Sequence, residues 1–157
     1  MTPSSRSTND EDDTVTCKHG PGECLGDTLE LCAAHLYRNP KIHLGFTMCM
    51  TRNYDDVPSE ELVKDCALEH GIDFAALNNC ASRDDGEFGL DLLRKSVQRS
   101  SAAGVTKSCT IRLDGKTRCI RDGGKWTDCE NGHQVRDLVE DVLELRQQHS
   151  PEYVAAH

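Results

Sequence analysis

The chain of 157 residues lacks a Cys-x-x-Cys pair, although it contains nine cysteines. A dithiol redox centre usually has two cysteines separated by two residues at the start of a helix, where the backbone amides lower the pKa of the first thiol. The closest pair here, Cys17 and Cys24, is better placed for a structural bridge. The sequence therefore contains no dithiol centre of the usual kind, and it identifies no catalytic residue.

Large apolar side chains are also scarce. Leucine, isoleucine, valine and phenylalanine together provide 31 of the 157 residues, and a charged chain this poor in them struggles to offset the entropy lost on folding. Cysteines spread from Cys17 to Cys129 can supply stability as disulfides, each contributing roughly 2–4 kcal/mol. Disulfides indicate an oxidising compartment such as the secretory pathway; the alternative is a cytosolic protein with inert buried thiols. Because the count is odd, at least one thiol is free, paired between chains, or without its partner in this chain.

Targeting and membrane signals are absent as well. Residues 1–16 have neither a basic start nor an apolar segment, so they contain no signal peptide and are predicted to form a disordered acidic tail. No stretch of the sequence approaches a membrane span. The net charge of −9 argues against nucleic acid or an anionic membrane as a partner. Secretory cysteine usage without a secretory signal suggests a mature form, an expression fragment or a chain that is missing its true beginning.

Small helices, each with a cysteine on its inward face, are predicted for about the first hundred residues. The first helix is predicted to begin near Asp27, with Glu30 completing a capping box, and to end at Asn39-Pro40. Residues 41–52 are ambiguous between a helix and a buried strand. Further helices are predicted over residues 59–70, from Asp73 onwards, and over 87–101 with Leu90, Leu93 and Val97 on one side.

A β-hairpin is predicted next, because residues 108–113 alternate with period two and Asp114-Gly115 is a tight-turn signal. A two-residue turn places Ile111 opposite Arg118 and Cys119 opposite Thr110, so that Cys119 and Cys109 point to different sides of the sheet. This register favours a Cys119–Cys129 bridge and makes Cys109 the candidate free thiol.

The end of the chain raises an architectural problem. A last helix is predicted over residues 133–147 from the helical spacing of its valines and leucines. Two strands alone form only a marginal sheet in water. The hairpin and last helix are therefore expected to be the end of a larger α/β sheet whose remaining strands are not in this chain.

Metal, nucleophile and phosphate sites have weak sequence support. The densest cluster contains Cys17, His19, Cys24 and Cys32, but its cysteine gaps are wider than the two to four residues of structural zinc sites. Cys17 and His19 would share a face of an extended segment, yet an orienting group and an oxyanion site have no signature. Gly123-Gly124 is a turn rather than a phosphate loop. No metal and no cofactor is predicted.

Residues 17–32 form a more specific pattern. They read Cys17-Lys-His19-Gly20-x-x-Glu23-Cys24-x-x-Asp27-x-x-Glu30-x-Cys32, which resembles the signature of the gamma-interferon-inducible lysosomal thiol reductase family, Cys-Gln-His-Gly-x-x-Glu-Cys-x-x-Asn-x4-Cys. The spacing agrees throughout, while Lys18 and Asp27 replace glutamine and asparagine. The resemblance extends over about residues 17–145, and the segment 108–129 resembles the fungal branch. Its weaker matches are Cys49-Met50, Cys66, Cys80, Gln98-Arg99 and Asp114-Gly115.

The resemblance implies an α+β, thioredoxin-like fold, partial here, with a helical insertion followed by the closing hairpin and helix. It implies a cysteine-stapled domain over residues 17–149, between the tail at 1–16 and a second tail at 150–157. Family members reduce protein disulfides through a Cys-x-x-Cys upstream of the signature, in a segment that this chain lacks. A cis-proline that many thioredoxin-like proteins place before the hairpin is replaced here by Ser108 or Cys109. The expected structural half-cystines are Cys17, Cys24, Cys32, Cys49, Cys66, Cys80, Cys119 and Cys129.

The predicted function is therefore that of a thiol-disulfide oxidoreductase family protein whose chain is truncated and lacks its catalytic dithiol. The alternative is a non-catalytic, secreted, disulfide-stapled binding module. The resemblance and the cysteine usage together imply the secretory pathway, with a lysosomal, vacuolar or extracellular destination. Disulfide-containing proteins are the expected substrates of an active full-length form, and the sequence indicates no oligomeric state.

Overall fold

The computed structural model describes residues 15–107 and 109–149. Most of the predicted N-terminal tail and all of the predicted C-terminal tail lie outside these residues. The chain divides into two compact units, one up to Gln98 and one from Arg99 onwards. The single domain predicted over residues 17–149 stays a prediction.

The first unit is helical. Its helices are α1 (Pro21–Leu36), α2 (Pro40–Arg52), α3 (Glu60–Glu69), α4 (Phe74–Ser82) and α5 (Glu87–Ala102), with a short 3-10 helix at Tyr54–Asp56; the last turn of α5 falls in the second unit. The second unit contains β1 (Thr110–Leu113), β2 (Lys116–Asp122), β3 (Lys125–Thr127) and α6 (Val135–Gln148). No helix among the described residues is both long and apolar enough to cross a lipid bilayer.

The start of α1 differs from the prediction. The helix begins at Pro21, not near Asp27. A proline is well suited to the first helical position, because the amide there has no intrahelical hydrogen bond to lose. Asp27 and Glu30 therefore lie inside the helix and do not form a capping box. Residues 41–52, which the sequence left ambiguous, belong to α2.

Side chains cap two of these helices, at Asp73 as predicted and at Ser59, which the sequence had indicated only as a helix start. Ser59 accepts a hydrogen bond from the amide of Leu62 at the start of α3, at 3.4 Å. Asp73 accepts from Ala75 and Ala76 at the start of α4, at 2.8 and 3.3 Å. In both cases a short side-chain oxygen satisfies amides that have no intrahelical partner.

The core of the first unit combines apolar side chains with sulfur. Phe46, Met50, Val63 and Leu77 are its largest fully buried apolar side chains, and four cysteines lie among them as Cys32–Cys80 and Cys49–Cys66. Because the sequence has few large apolar residues, the disulfides supply part of the stability that buried apolar surface provides in other domains. In α5 only Leu93 of the predicted inward face is buried, whereas Leu90 and Val97 are exposed.

The second unit has a three-stranded antiparallel sheet in the order β1–β2–β3. The predicted hairpin is present, and a third strand, β3, which the sequence pattern did not indicate, follows the Asp122-Gly-Gly124 turn. The register also differs, because a bulge places Ile111 opposite Cys119 instead of Arg118. The bulge leaves Arg118 as the additional residue of β2.

The bulge also positions Arg118 to join β2 to α6. Its guanidinium donates to the carboxylate of Asp141 and, at 2.9 Å, to the carbonyl oxygen of Gly132. The predicted last helix is confirmed as α6, although none of its residues is buried. The α+β class and the order of elements are thus confirmed, while the thioredoxin-like assignment stays a prediction.

Candidate functional site

The signature segment builds the start of α1. Gly20 has φ 94° and ψ −170°, a conformation that side-chain-bearing residues rarely adopt. Glu23, in the first turn of the helix, accepts a hydrogen bond from the backbone N–H of His19 at 2.7 Å, and its second oxygen lies 3.2 Å from Nδ1 of His19. A carboxylate in this position also interacts favourably with the positive end of the helix dipole.

Each signature cysteine forms a disulfide. Cys17 is bonded to Cys24, which ties the preceding turn to the first turns of α1. Cys32 is bonded to Cys80 and so connects α1 to α4. Cys17 is therefore not available as a nucleophile beside His19.

All nine cysteines lie within the described residues, and eight of them are paired. The pairs are Cys17–Cys24, Cys32–Cys80, Cys49–Cys66 and Cys119–Cys129. Cys109 is free and exposed. It precedes β1 with φ 58°, and its carbonyl oxygen accepts the amide of Arg121 at 3.1 Å. The chain thus offers a single thiol for exchange.

Two cavities lie beside the first half of α1, on different faces of the helix. Residues three or four positions apart share a helix face, so His19, Glu23, Asp27 and Glu30 line one cavity, while Pro21, Cys24, Leu25 and Thr28 line the other. The first has a volume of about 560 Å³, the second about 470 Å³. We call them the acidic cavity and the apolar cavity.

The opposite wall of the acidic cavity comes from the end of α2 and the segment after it. Thr51, Tyr54, Asp55 and Val57 belong to this wall. Gly26 allows the segment to approach α1, because a Cβ on Gly26 would lie 2.6 Å from a methyl carbon of Val57. A larger residue at position 26 would push this wall outwards.

Carboxylates dominate the acidic cavity. Glu23, Asp27, Glu30 and Asp55 line it together with His19, and the described residues that line it include no lysine or arginine. A cavity of this charge attracts cationic groups such as amines and guanidinium groups.

The carboxylates along α1 differ in acidity. The backbone hydrogen bond from His19 is the largest influence on Glu23 and lowers its pKa. Burial, and then the charge of Glu23, raise the pKa of Asp27. Burial, and then the charge of Asp27, raise the pKa of Glu30 to about 7, against the opposing effect of a hydrogen bond with Thr47. Glu23 is therefore charged at neutral pH, whereas the carboxyl group of Glu30 is partly protonated at neutral pH.

The apolar cavity adjoins the signature disulfide. Cys17 and Cys24 are part of its wall, together with Leu25, Ala81 and Leu90. Leu25 and Leu90 are 46% and 41% exposed, so the cavity presents an accessible apolar surface. The signature therefore has an apolar surface on one face of α1 and a negatively charged surface on another.

Sequence reasoning missed the role of Glu30 and the contribution of Tyr54 and Asp55. The prediction of a capping role for Glu30 is wrong because α1 begins at Pro21, six residues before Asp27. The available signal was Pro21, since proline is common at the first helical position. A helix that begins at Pro21 places Glu23, Asp27 and Glu30 along one face. No local signal could have brought residues 54 and 55 to this helix.

The comparisons with known proteins agree with the signature. Residues 1–70 match the family described as gamma interferon inducible lysosomal thiol reductase (GILT). No curated protein and no solved structure matches the chain. The matched segment contains the whole signature, both walls of the acidic cavity and all of α3. The signature and its geometry at the start of α1 thus lie within the segment, residues 1–70, that is similar to the gamma interferon inducible lysosomal thiol reductase family.

Proposed function

We propose that this chain is part of a thiol-disulfide oxidoreductase that reduces disulfide bonds of proteins in an oxidising compartment, lysosomal, vacuolar or extracellular. The observation that carries the proposal is the family signature, intact in spacing and built into the start of α1. The four disulfides support it, because bridges of this kind persist in oxidising compartments.

Complete reduction of a substrate disulfide needs two thiols. The first thiolate attacks a substrate sulfur, forms a mixed disulfide and releases one substrate thiolate; the second attacks the mixed disulfide, releases the other substrate thiolate and leaves the enzyme oxidised. Cys109 is one thiol, and the other eight cysteines are already paired. The proposal therefore assigns the dithiol to a segment other than these 157 residues.

The two cavities provide the surfaces by which this chain would hold a protein substrate. An unfolded polypeptide carries apolar side chains next to charged ones, and the apolar and acidic cavities lie on different faces of one helix. The apolar cavity would take a hydrophobic side chain. The carboxylates around Asp27 would attract a lysine or arginine of the same substrate.

A second function is favoured by the cysteine pairing itself. A scaffold with one free thiol can bind a partner without changing its disulfides, so a secreted, non-catalytic binding module also fits. The two functions differ in what the native protein carries ahead of the signature.

An insulin reduction assay tests the first function. With a dithiol reductant present, the 157-residue chain should not raise the rate above that of the reductant alone. Robust turnover that alkylation abolishes would contradict the assignment of the dithiol to another segment. The N-terminal sequence of the protein isolated from its native source separates the two functions: a Cys-x-x-Cys ahead of the signature supports the reductase, and a native chain that begins at Met1 supports the binding module.

Binding to a denatured, disulfide-containing protein tests the cavities. Leu25→Glu should weaken binding roughly tenfold, since it places a charge where about 1.4 kcal/mol of apolar contact is expected. Leu68→Glu is the matched control, because Leu68 is 81% exposed and lines neither cavity. Equal affinities of both variants would remove the apolar cavity from the proposal.

A further inference from the structure

A second cluster of reactive side chains lies away from the signature, where α2 meets the end of α3. The Cys49–Cys66 disulfide joins the two helices there. Sγ of Cys49 lies 3.6 Å from Oε2 of Glu69, and ligand-type atoms of Cys49, Glu69 and His70 all fall within 4.8 Å of one another. Cys66, Glu69 and His70 are at positions i, i+3 and i+4, so they share one face at the end of α3.

His70 is held in this cluster by close packing. Its ring lies against Gly45 of α2, where a Cβ would be 2.4 Å from Nδ1 of the ring. Nε2 is buried and, among the described residues, has no hydrogen-bond partner. It lies 3.7 Å from Oε1 of Glu69. A buried imidazole nitrogen normally has a partner, because leaving it without one costs free energy.

We propose that these four side chains form a zinc-type metal site in the chain before the Cys49–Cys66 bond has formed. The ligands are the thiolates of Cys49 and Cys66, a carboxylate oxygen of Glu69 and Nε2 of His70. Thiolate, imidazole and carboxylate are the ligands that Zn²⁺ takes in tetrahedral protein sites. Each thiol loses its proton as its sulfur binds the ion, and no electrons are transferred.

The geometry requires only small movements. Two sulfurs on one zinc ion, each about 2.3 Å from it, lie about 3.8 Å apart. The Cα atoms of Cys49 and Cys66 are 5.6 Å apart, and side-chain rotation can separate the sulfurs without moving the helices. The remaining ligand atoms must approach one another by about 1 Å, which the 58% exposed side chain of Glu69 can do.

Metal and disulfide exclude each other at this place, because both use the same two sulfur atoms. The newly made chain carries thiols, so zinc can connect α2 to α3 first, and its loss frees the pair for oxidation. The orphan Nε2 of His70 is explained as the ligand that is left without a partner once the disulfide has formed. This inference does not depend on the proposed reductase function.

The experiment follows the formation of individual disulfides in the full chain. The reduced protein is refolded in a glutathione redox buffer, with and without Zn²⁺ at about 100 times the dissociation constant measured by chelator competition. Samples are alkylated at intervals, and each cystine peptide is quantified by mass spectrometry. At this concentration only about 1% of the sites are empty, so zinc should slow the Cys49–Cys66 bond about 100-fold. The Cys119–Cys129 bond in the same molecules is the internal control and should form at its zinc-free rate.

Two variants assign the effect to the ligands. His70→Gln should weaken zinc binding by about 100-fold or more, since even outer-shell partners contribute 10–100-fold. The Cys49–Cys66 bond should then form within about twofold of its zinc-free rate at the same zinc concentration. Glu69→Gln, at an exposed position, gives the same test if His70→Gln does not refold. His43→Gln and Glu61→Gln are the matched controls and should keep the full zinc effect.

Three results would overturn the site. These are an unchanged rate of Cys49–Cys66 formation with zinc, equal slowing of Cys119–Cys129, and His70 and Glu69 variants that behave like their controls. Equal slowing of all pairs would show that zinc binds thiols of the unfolded chain without selecting this cluster.

Discussion

The disulfide between Cys32 and Cys80 should be the most important single cross-link for stability. It joins α1 to α4 across 48 positions of sequence, whereas Cys17–Cys24 spans seven. A cross-link restricts the unfolded chain more when it closes a longer loop. The double variants Cys32→Ala/Cys80→Ala and Cys17→Ala/Cys24→Ala therefore make a direct comparison.

The loop lengths give the expected magnitudes. The loop-entropy relation gives about 4 kcal/mol for a separation of 48 and about 2.3 kcal/mol for a separation of seven. The difference in the free energy of unfolding is therefore about 1.7 kcal/mol. Packing increases it, because Cys32 and Cys80 are buried in the core of the first unit and alanine leaves space there.

Urea unfolding under oxidising conditions, followed by far-ultraviolet circular dichroism, measures both variants against the wild-type chain. The helices provide most of this signal, so it reports on the first unit. Removal of Cys32–Cys80, which closes the longer loop, should lower the urea midpoint further than removal of Cys17–Cys24. It should also steepen the dependence of the unfolding free energy on urea, because the unfolded chain becomes more expanded. An equal or larger loss from the Cys17/Cys24 variant would refute the argument from loop length.

Three further predictions concern single side chains. The raised pKa of Glu30, from 4.5 to about 7, means that the folded state binds more protons than the unfolded state between these values. The free energy of unfolding should therefore fall as pH rises through this window, by about 3 kcal/mol at most. Urea unfolding at the two ends of the pH window should show this loss in the wild-type chain and in the exposed-site control Glu61→Gln, but not in Glu30→Gln. Ellman's reagent should find one thiol per native chain and none in Cys109→Ser, and two or more in the wild type would contradict the pairing. Gly26→Ala should destabilise by about 1 kcal/mol in thermal unfolding, since its Cβ would press on Val57; a gain of about 1 kcal/mol, the helix-propensity value, would refute the close approach.

Local signals in the sequence were sufficient for several helices and turns. Asp73 caps the helix that it is predicted to cap, and the helix predicted from residue 59 begins there, because a cap depends on residues only two or three positions away. The Asp114-Gly115 turn forms its hairpin for the same reason. The start of α1 was not predicted although Pro21 signals it. The capping pattern at Asp27 and Glu30 is also a local signal, and it indicates a later helix start.

The register of the sheet required more than local signals. The two-residue turn fixes the pairing of Leu113 with Lys116. The bulge beyond it lets Arg118 reach Asp141, 23 positions away. That contact depends on α6, so the turn residues alone could not indicate it. The strand β3 was not predicted, because its three residues are too few to show the alternation of apolar and polar side chains that indicates a strand.

The sequence by itself determined the chemistry available to this protein: an acidic chain with many cysteines, no Cys-x-x-Cys, and a family signature from Cys17 to Cys32. These follow from residue identity and spacing, which need no folding. Only the tertiary structure decided which residues meet. The wall of Tyr54 and Asp55 reaches α1 because glycines leave room for it, and His70 meets Cys49 because the end of α3 packs on Gly45. Contacts of this range are set by helix packing, and packing depends on the whole set of buried side chains at once.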